Sequence, residues 1–266
     1  MIVSWQQEDA RQWAGFSGDN NPIHFDEQFA RSMGCKGVIV HGMRAMLDVK
    51  SALTERLLNS QPQGDFYRFS ARLRKPLACG TPYRLSLADK AGGVEARLVT
   101  VDEESCCVSA RLFSASAPDQ TILPYDCETA DLETPLLLYP GEAMSPVGRW
   151  GFLDAVLFQR MLASSTLAGE ISGTDSACHP AWRVSDLFTL YSVIQTHYEV
   201  HFSASLLHPR PLRRLHYSVL PSQIIGSLPQ GLVVHAVLRG WAPEGDLLLT
   251  TAATFRIRPL NQQFNQ

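Results

Sequence analysis

An α+β chain, in which a long helix packs on an antiparallel sheet and the arrangement occurs twice, is the fold class predicted by three observations. Apolar residues recur at helical spacing before residue 60, alternate at period two between residues 66 and 113, and the order of helix then strands returns after residue 145.

A period-3.6 pattern opens the chain from about Ser4 to Ala14, and the next stretch, Gly15 to Phe25, is loop-forming because it is rich in Gly, Asn, Asp and Pro. Asp26 can cap a short helix from Glu27 to Met33, which Gly34 closes. A longer helix is expected from Gly42 to Leu58, with Met43, Met46, Leu47, Leu53 and Leu57 on one stripe that Lys50 interrupts. Strands are expected at Phe66–Leu73, Tyr83–Ala88, Val94–Val101 and Cys106–Phe113, separated by turn-forming residues. Ser114 to Met144 is a linker with room for a strand, and a boundary near residue 118 separates an N-terminal unit, 1–118, from a C-terminal unit, 119–266. The second unit should contain an apolar helix at Trp150–Ala163 and an irregular stretch to Pro180. A second long helix from Ser185 to about Val200 and strands at Leu212–Leu220, Leu232–Trp241 and Leu247–Ile257 would complete it.

Composition bounds the function. With 266 residues, 45% of them hydrophobic and 18% charged, the chain can bury a core. Its net charge of −3 and the lack of any long Lys/Arg run disfavour a nucleic-acid or membrane-surface partner. No apolar run approaches the roughly 18 residues that cross a bilayer, and no signal peptide is evident, so a soluble, cytoplasmic protein is expected. Six cysteines, at positions 35, 79, 106, 107, 127 and 178, form no C-x-x-C pair and have no histidine at metal-ligand spacing beside them. Neither a disulfide framework nor a zinc site is expected from them.

The segment richest in chemistry is Phe16-Ser17-Gly18-Asp19-Asn20-Asn21-Pro22-Ile23-His24-Phe25. Pro22 fixes its own φ and pushes Asn21 out of the helical region, while the Asn side chains can tie themselves to local backbone. Such a stiff loop could bring Asp19 and His24 to one point. A carboxylate beside a neutral imidazole suits a reaction that takes one proton from water and gives another to carbon. On residue types alone, an ordinary turn accounts for the run.

A family pattern changes that reading. The run G-D-x-N-P-x-H, followed by an acidic helix cap, resembles the signature of the MaoC-like hydratases, the (R)-specific enoyl-thioester hydratase and dehydratase group. Gly37-Val38-Ile39-Val40-His41-Gly42-Met43 is similar to the same family's entry into its central helix. The resemblance implies a hot-dog fold, here in double form. It also implies Asp19 and His24 as the catalytic pair and no metal or other cofactor. The backbone N–H of Gly42 would be the donor to the thioester carbonyl oxygen, with Asn21 also at the substrate. A helix N-terminus suits that oxygen independently, because its first N–H groups are unpaired and carry the positive end of a dipole. His41 is expected to be structural, its imidazole bonded to backbone. The family often has a Ser deeper in the central helix that supports the Asp, and here Lys50 and Ser51 occupy that neighbourhood.

The second unit lacks the signature. Ser172 to Pro180, with Asp175 and His179, is an echo at most, and the unit reads as a degenerate copy that supplies walls for an acyl tunnel. Phe188, Leu190, Tyr191 and Ile194 are expected in its core. Phe152-Leu153-Asp154-Ala155 is similar to the segment that provides the catalytic Asp in the second hot dog of polyketide-synthase dehydratase domains, but Trp150-Gly151 stands where that family has His-Pro. Asp154 is therefore expected near the start of an ordinary helix.

Three functions remain open: hydration or dehydration of an acyl thioester by Asp19 and His24, thioester hydrolysis in the same tunnel, and acyl-thioester binding without catalysis. The thioester would be carried by coenzyme A or by an acyl carrier protein. Arg68, Arg72, Arg74 and Lys75 are basic residues that could meet either carrier, and a homodimer is compatible with the sequence.

Overall fold

The computed structural model describes residues 1–60, 64–118, 126–175, 183–208 and 211–260. Ile2–Val3 forms a short strand, β1, ahead of helix α1 (Gln7–Ser17), which Gly18 ends in the left-handed region at φ 75°. Pro22–His24 makes one 3-10 turn, and α2 (Glu27–Ser32) begins where the Asp26 carboxylate accepts the Phe29 N–H at 2.9 Å, the expected cap. The long helix α3 (Gly42–Asn59) buries Met43, Met46, Val49, Leu53 and Leu57 along one stripe. Strands β2 (Phe66–Leu73), β3 (Tyr83–Lys90), β4 (Gly93–Thr100) and β5 (Cys106–Ala115) follow at the positions where alternation placed them.

The linker region contains β6 (Glu128–Asp131) and α4 (Glu133–Leu138). Beyond it come α5 (Arg149–Ala163), α6 (Ser165–Ser172), β7 (Tyr191–Ser203), β8 (Arg214–Ser227), β9 (Gly231–Trp241) and β10 (Leu247–Pro259). The expected helix from Ser185 to Val200 is corrected: Val184–Thr189 is a 3-10 turn and the remainder belongs to β7. The physical reason lies in the residues. From Tyr198 onward, buried Tyr198, Val200 and Phe202 alternate with His197, Glu199 and His201, a period of two that outweighs the helical spacing of the residues before it. The long helix of the second half is α5.

All ten strands form one antiparallel sheet in the order β1-β3-β4-β5-β2-β7-β10-β9-β8-β6. The order is a palindrome, each strand of the first half having a counterpart in the second: β1 with β6, β3 with β8, β4 with β9, β5 with β10 and β2 with β7. The halves join where β2 pairs with β7, from Phe66 opposite Ser203 to Arg72 opposite His197. Helix α3 packs on β4 and β5 as α5 packs on β9 and β10, and the two helices touch.

At that contact lies the residue that interrupted the α3 stripe. Lys50 is 1% exposed and its Nζ is ion-paired with Asp154 of α5, which is fully buried. Asp154 also accepts the Tyr198 hydroxyl at 2.8 Å and the Thr251 hydroxyl at 2.7 Å. Three donors thus satisfy its carboxylate. The Lys50 ammonium lies 5.0 to 5.5 Å from the ring centroids of Tyr198, Phe69 and Trp150, within cation–π range. Asp154 is accordingly part of the junction between the halves. Among the described residues, Cys35, Cys79, Cys106, Cys107 and Cys127 are free thiols, and no helix is long and apolar enough to cross a membrane.

Candidate active site

The loop between α1 and α2 is held by its own side chains. The Asp19 carboxylate accepts the Asn21 N–H at 3.3 Å, and the Asn21 side-chain oxygen accepts the Ile23 N–H at 3.3 Å, which starts the 3-10 turn that carries His24. The second half grips the same loop from outside. Asn21 Nδ2 donates to the carbonyl of Val193 in β7 at 3.3 Å, and Gln159 Nε2 of α5 donates to the carbonyl of Phe16 at 2.5 Å.

Asp19, His24 and His41 come together. Each offers a nitrogen or carboxylate oxygen, and the three atoms lie within 4.8 Å of one another. The rings of His24 and His41 stack, with centroids 3.6 Å apart. His24 Nδ1 meets the Ile39 carbonyl at 2.9 Å, and His41 Nε2 meets the Asp19 carbonyl at 2.9 Å. A carbonyl only accepts, so each of these nitrogens carries the hydrogen and leaves a lone pair on the other nitrogen of its ring. On His41 that other atom, Nδ1, is buried without a partner. The bond from the His41 ring to backbone is the one expected from its position before a helix.

Electrostatics keeps both rings neutral at pH 7. Burial pushes His24 down to about 4, the neighbouring His41 adds to the fall, and Asp19 and the Ile39 carbonyl pull weakly upward. Burial likewise holds His41 at about 4 against the pull of the Asp19 carbonyl. The Asp19 carboxyl is raised above its ordinary range by burial, with His24 and the Asn21 N–H opposing. Two neutral imidazoles and a carboxyl that holds its proton more tightly than usual can accept, donate and pass protons near neutrality. The same three donors are of a type that could hold a divalent metal ion.

Asp19 and His24 line a cavity of about 360 Å³, together with Asn21, Gly42 and Met43 from the first half and Phe158, Phe188 and Gln195 from the second. His41 is the N-cap residue of α3 without a side-chain cap, so the first N–H groups of an 18-residue helix lack a capping partner at the cavity wall. A Cβ on Gly42 would stand 2.3 Å from Leu73 Cδ2, which explains why the smallest residue occupies this point. Asn21 lines the cavity, and a bond at each end of its amide ties the loop to β7 and to the 3-10 turn. Arg74, Lys75 and Arg256 also border the cavity, whereas Arg68 pairs with Glu199 elsewhere on the sheet.

Sequence reasoning anticipated Asp19, His24 and Gly42 at one site. It placed Phe188, Leu190, Tyr191 and Ile194 in the core: Phe188 is buried there and also lines the cavity, Tyr191 packs against the core, and Leu190 and Ile194 are instead 59% and 45% exposed, Ile194 at the cavity wall. Gln195, which faces Gly42 from β7, carried no sequence signal. Of the Ser172–Pro180 echo, Asp175 is described but His179 lies outside the described residues.

Comparison with known proteins bears on the family and the fold. Residues 2–104 match the family model described as MaoC like domain. No curated protein matches the chain. Among solved structures, an acyl-CoA thioesterase II, TesB2, from Mycobacterium marinum is similar at TM-score 0.50 and 14% identity, with 82% of this chain and 89% of that chain covered. A MaoC-like dehydratase is similar at TM-score 0.47 and 14% identity, with 96% and 95% covered. A conserved protein with hot dog fold from Alicyclobacillus acidocaldarius is similar at TM-score 0.46 and 10% identity, with 83% and 88% covered. Residues 2–104, which carry the loop, Asp19, His24 and the start of α3, thus match the MaoC-like domain family model within a chain of double hot-dog fold.

Proposed function

We propose that the chain hydrates enoyl thioesters, or dehydrates (R)-3-hydroxyacyl thioesters, with Asp19 and His24 as the catalytic pair. The observation that carries this reading is the convergence of Asp19 and His24, within 4.8 Å of each other, on a cavity also lined by the start of α3. In hydration, the oxygen of water bonds to the β carbon while one of its protons passes to the Asp19 and His24 pair. The electrons of the double bond move toward the thioester carbonyl, the α carbon takes a proton from the pair, and the hydroxyl stays on the β carbon. Dehydration is the reverse. The two groups act as a coupled unit, with His24 turning its bare nitrogen toward the water. Charge that builds on the thioester oxygen meets the Gly42 N–H and the positive end of the α3 dipole.

The substrate proposed is a thioester on coenzyme A or on an acyl carrier protein, its acyl chain lying between Phe158, Phe188 and Phe255 and its carrier at Arg74, Lys75 and Arg256. The division near residue 118, with chemistry in the first unit and acyl-tunnel wall in the second, belongs to the same proposal.

The test follows enoyl-thioester absorbance with crotonyl and longer substrates on both carriers, for the wild type, Asp19→Asn and His24→Ala. Each substitution should lower kcat/KM by about 10²- to 10⁴-fold. Release of free thiol by the wild type in step with the loss of enoyl-thioester absorbance, with no 3-hydroxyacyl thioester formed, would replace this reading with hydrolysis.

A further inference from the structure

A second cavity, of about 570 Å³, lies at the opposite end of the β2–β7 seam, and its walls are the mirror counterparts of the first. The first is bounded by the start of α3 at Gly42, the end of β2 at Leu73 and the start of β7 at Val193. The second is bounded by the start of α5 at Arg149, the end of β7 at Ser203 and the start of β2 at Phe66. These three elements are exchanged for their counterparts in the palindromic sheet, because β2 and β7 pair antiparallel with Phe66 opposite Ser203.

The chemistry differs. Arg149 stands at the head of α5 where Gly42 stands at the head of α3. It is 5% exposed, its Nε is buried without a hydrogen-bond partner, and among the described residues it joins no ion pair. Burial lowers its guanidinium from the ordinary value, the mark of a cation left uncompensated. Arg213 and Arg214 bring two more guanidinium groups to the exposed rim. Glu244 and Asp246 border the same cavity from an exposed turn, and neither pairs with Arg149. Phe66, Leu206, Leu212 and Leu248 make much of the remaining wall apolar, and no histidine among the described residues lines it.

A buried, unpaired guanidinium is costly, and its fork of donors matches a carboxylate or a phosphate. We propose that this second cavity binds an amphiphilic organic anion, the carboxylate or phosphate head pairing with Arg149 and the alkyl body lying against Phe66, Leu206 and Leu248. The degenerate half then keeps a ligand site in place of a catalytic one. This assignment stands apart from the reaction proposed for the first cavity, and either can fail alone.

Calorimetric titration of the full chain with octanoate, octyl phosphate, octanol and inorganic phosphate tests it. At least one of the two charged octyl ligands should bind about tenfold or more tightly than octanol, the effect expected of a charge-assisted hydrogen bond. The stronger of the two identifies the head group, and inorganic phosphate should bind less tightly than octyl phosphate. Arg149→Met should weaken the anion about tenfold or more, Arg213→Gln with Arg214→Gln should weaken it and reduce its salt dependence, and Asp19→Asn should leave it unchanged. Equal affinity for octanol and both anions would overturn the proposal, as would undiminished binding by folded Arg149→Met. Inorganic phosphate binding as tightly as octyl phosphate would overturn the apolar body, and a changed affinity in Asp19→Asn would place the anion in the first cavity. Should Arg149→Met fail to fold, the comparison of ligands on the wild type and the Arg213/Arg214 variant decide the matter.

Discussion

His24 and His41 face each other through their rings, and each surrenders one nitrogen to a carbonyl. Two cations could not share that stack in a buried site, so the fold excludes the protons that solution would supply. Both rings titrate at about 4 in the fold against an ordinary 6.5. Between those values the unfolded chain binds protons that the native chain refuses, so their contribution to stability is complete above about pH 6.5. It is lost as pH falls toward 4 and declines no further below that. Asp19 works in the opposite sense, because its raised carboxyl takes up a proton in the fold before it would in the unfolded chain, which returns part of the loss near the acid end. A shift of this size corresponds to roughly 3 kcal/mol for one imidazole at about 1.4 kcal/mol per unit, and the coupled pair does not simply double it. Melting temperature measured from pH 8 to pH 4 should fall across this window, and His41→Gln should flatten the slope. A wild-type profile that stays level between pH 6.5 and 4 would refute the account.

Elements, more than residues, decide whether the loop keeps its shape. Asn21→Ala removes the bond from the loop to β7 and the bond that opens the 3-10 turn under His24. The Val193 carbonyl then loses a buried donor, for a cost of about 1 to 3 kcal/mol. Under the proposed reaction, kcat should fall by tenfold or more with KM changing less; melting curves and initial rates read both. Unchanged kcat in a variant of lowered stability would show that β7 does not position the pair. The loop, the Asp26 cap, the α3 stripe and strands β2 to β5 were legible in the sequence because each is specified by neighbours in the chain. Strand β7 was not. Phe188, Leu190, Tyr191 and Ile194 fall at helical spacing by coincidence, and pairing with the distant β10 makes a strand of the segment from Tyr191, which the alternation of residues 197–202 and pairing with β2 continue. The site shows the same divide, since Asp19 and His24 lie in one motif while Gln195 and Phe188 reach the cavity from the other half of the chain, a contact that no local pattern records.

The whole molecule depends on what joins its halves. Besides the bonds that grip the loop, two joins stand out: the backbone ladder between β2 and β7, and the side-chain knot of Lys50, Asp154, Tyr198 and Thr251. The knot is buried, and its charges were removed from bulk water at a cost that their mutual attraction only roughly offsets. Its energetic weight therefore shows when one partner is deleted. Lys50→Met leaves a buried carboxylate with two hydroxyl donors and no cation, and Asp154→Leu leaves a buried ammonium among rings. Each should cost about 3 to 5 kcal/mol. The double variant, with apolar groups of similar volume at both positions, should recover much of that loss, because no charge is left unpaired. A double-mutant cycle read by urea unfolding measures the difference. If the two losses simply add, the pair is not coupled, and the contact between α3 and α5 rests on packing and on the hydrogen bond from Trp150 to Thr54. If the double variant is stable but its unfolding separates into two transitions, then the knot is what makes the two halves one cooperative unit, and the ladder between β2 and β7 is insufficient by itself.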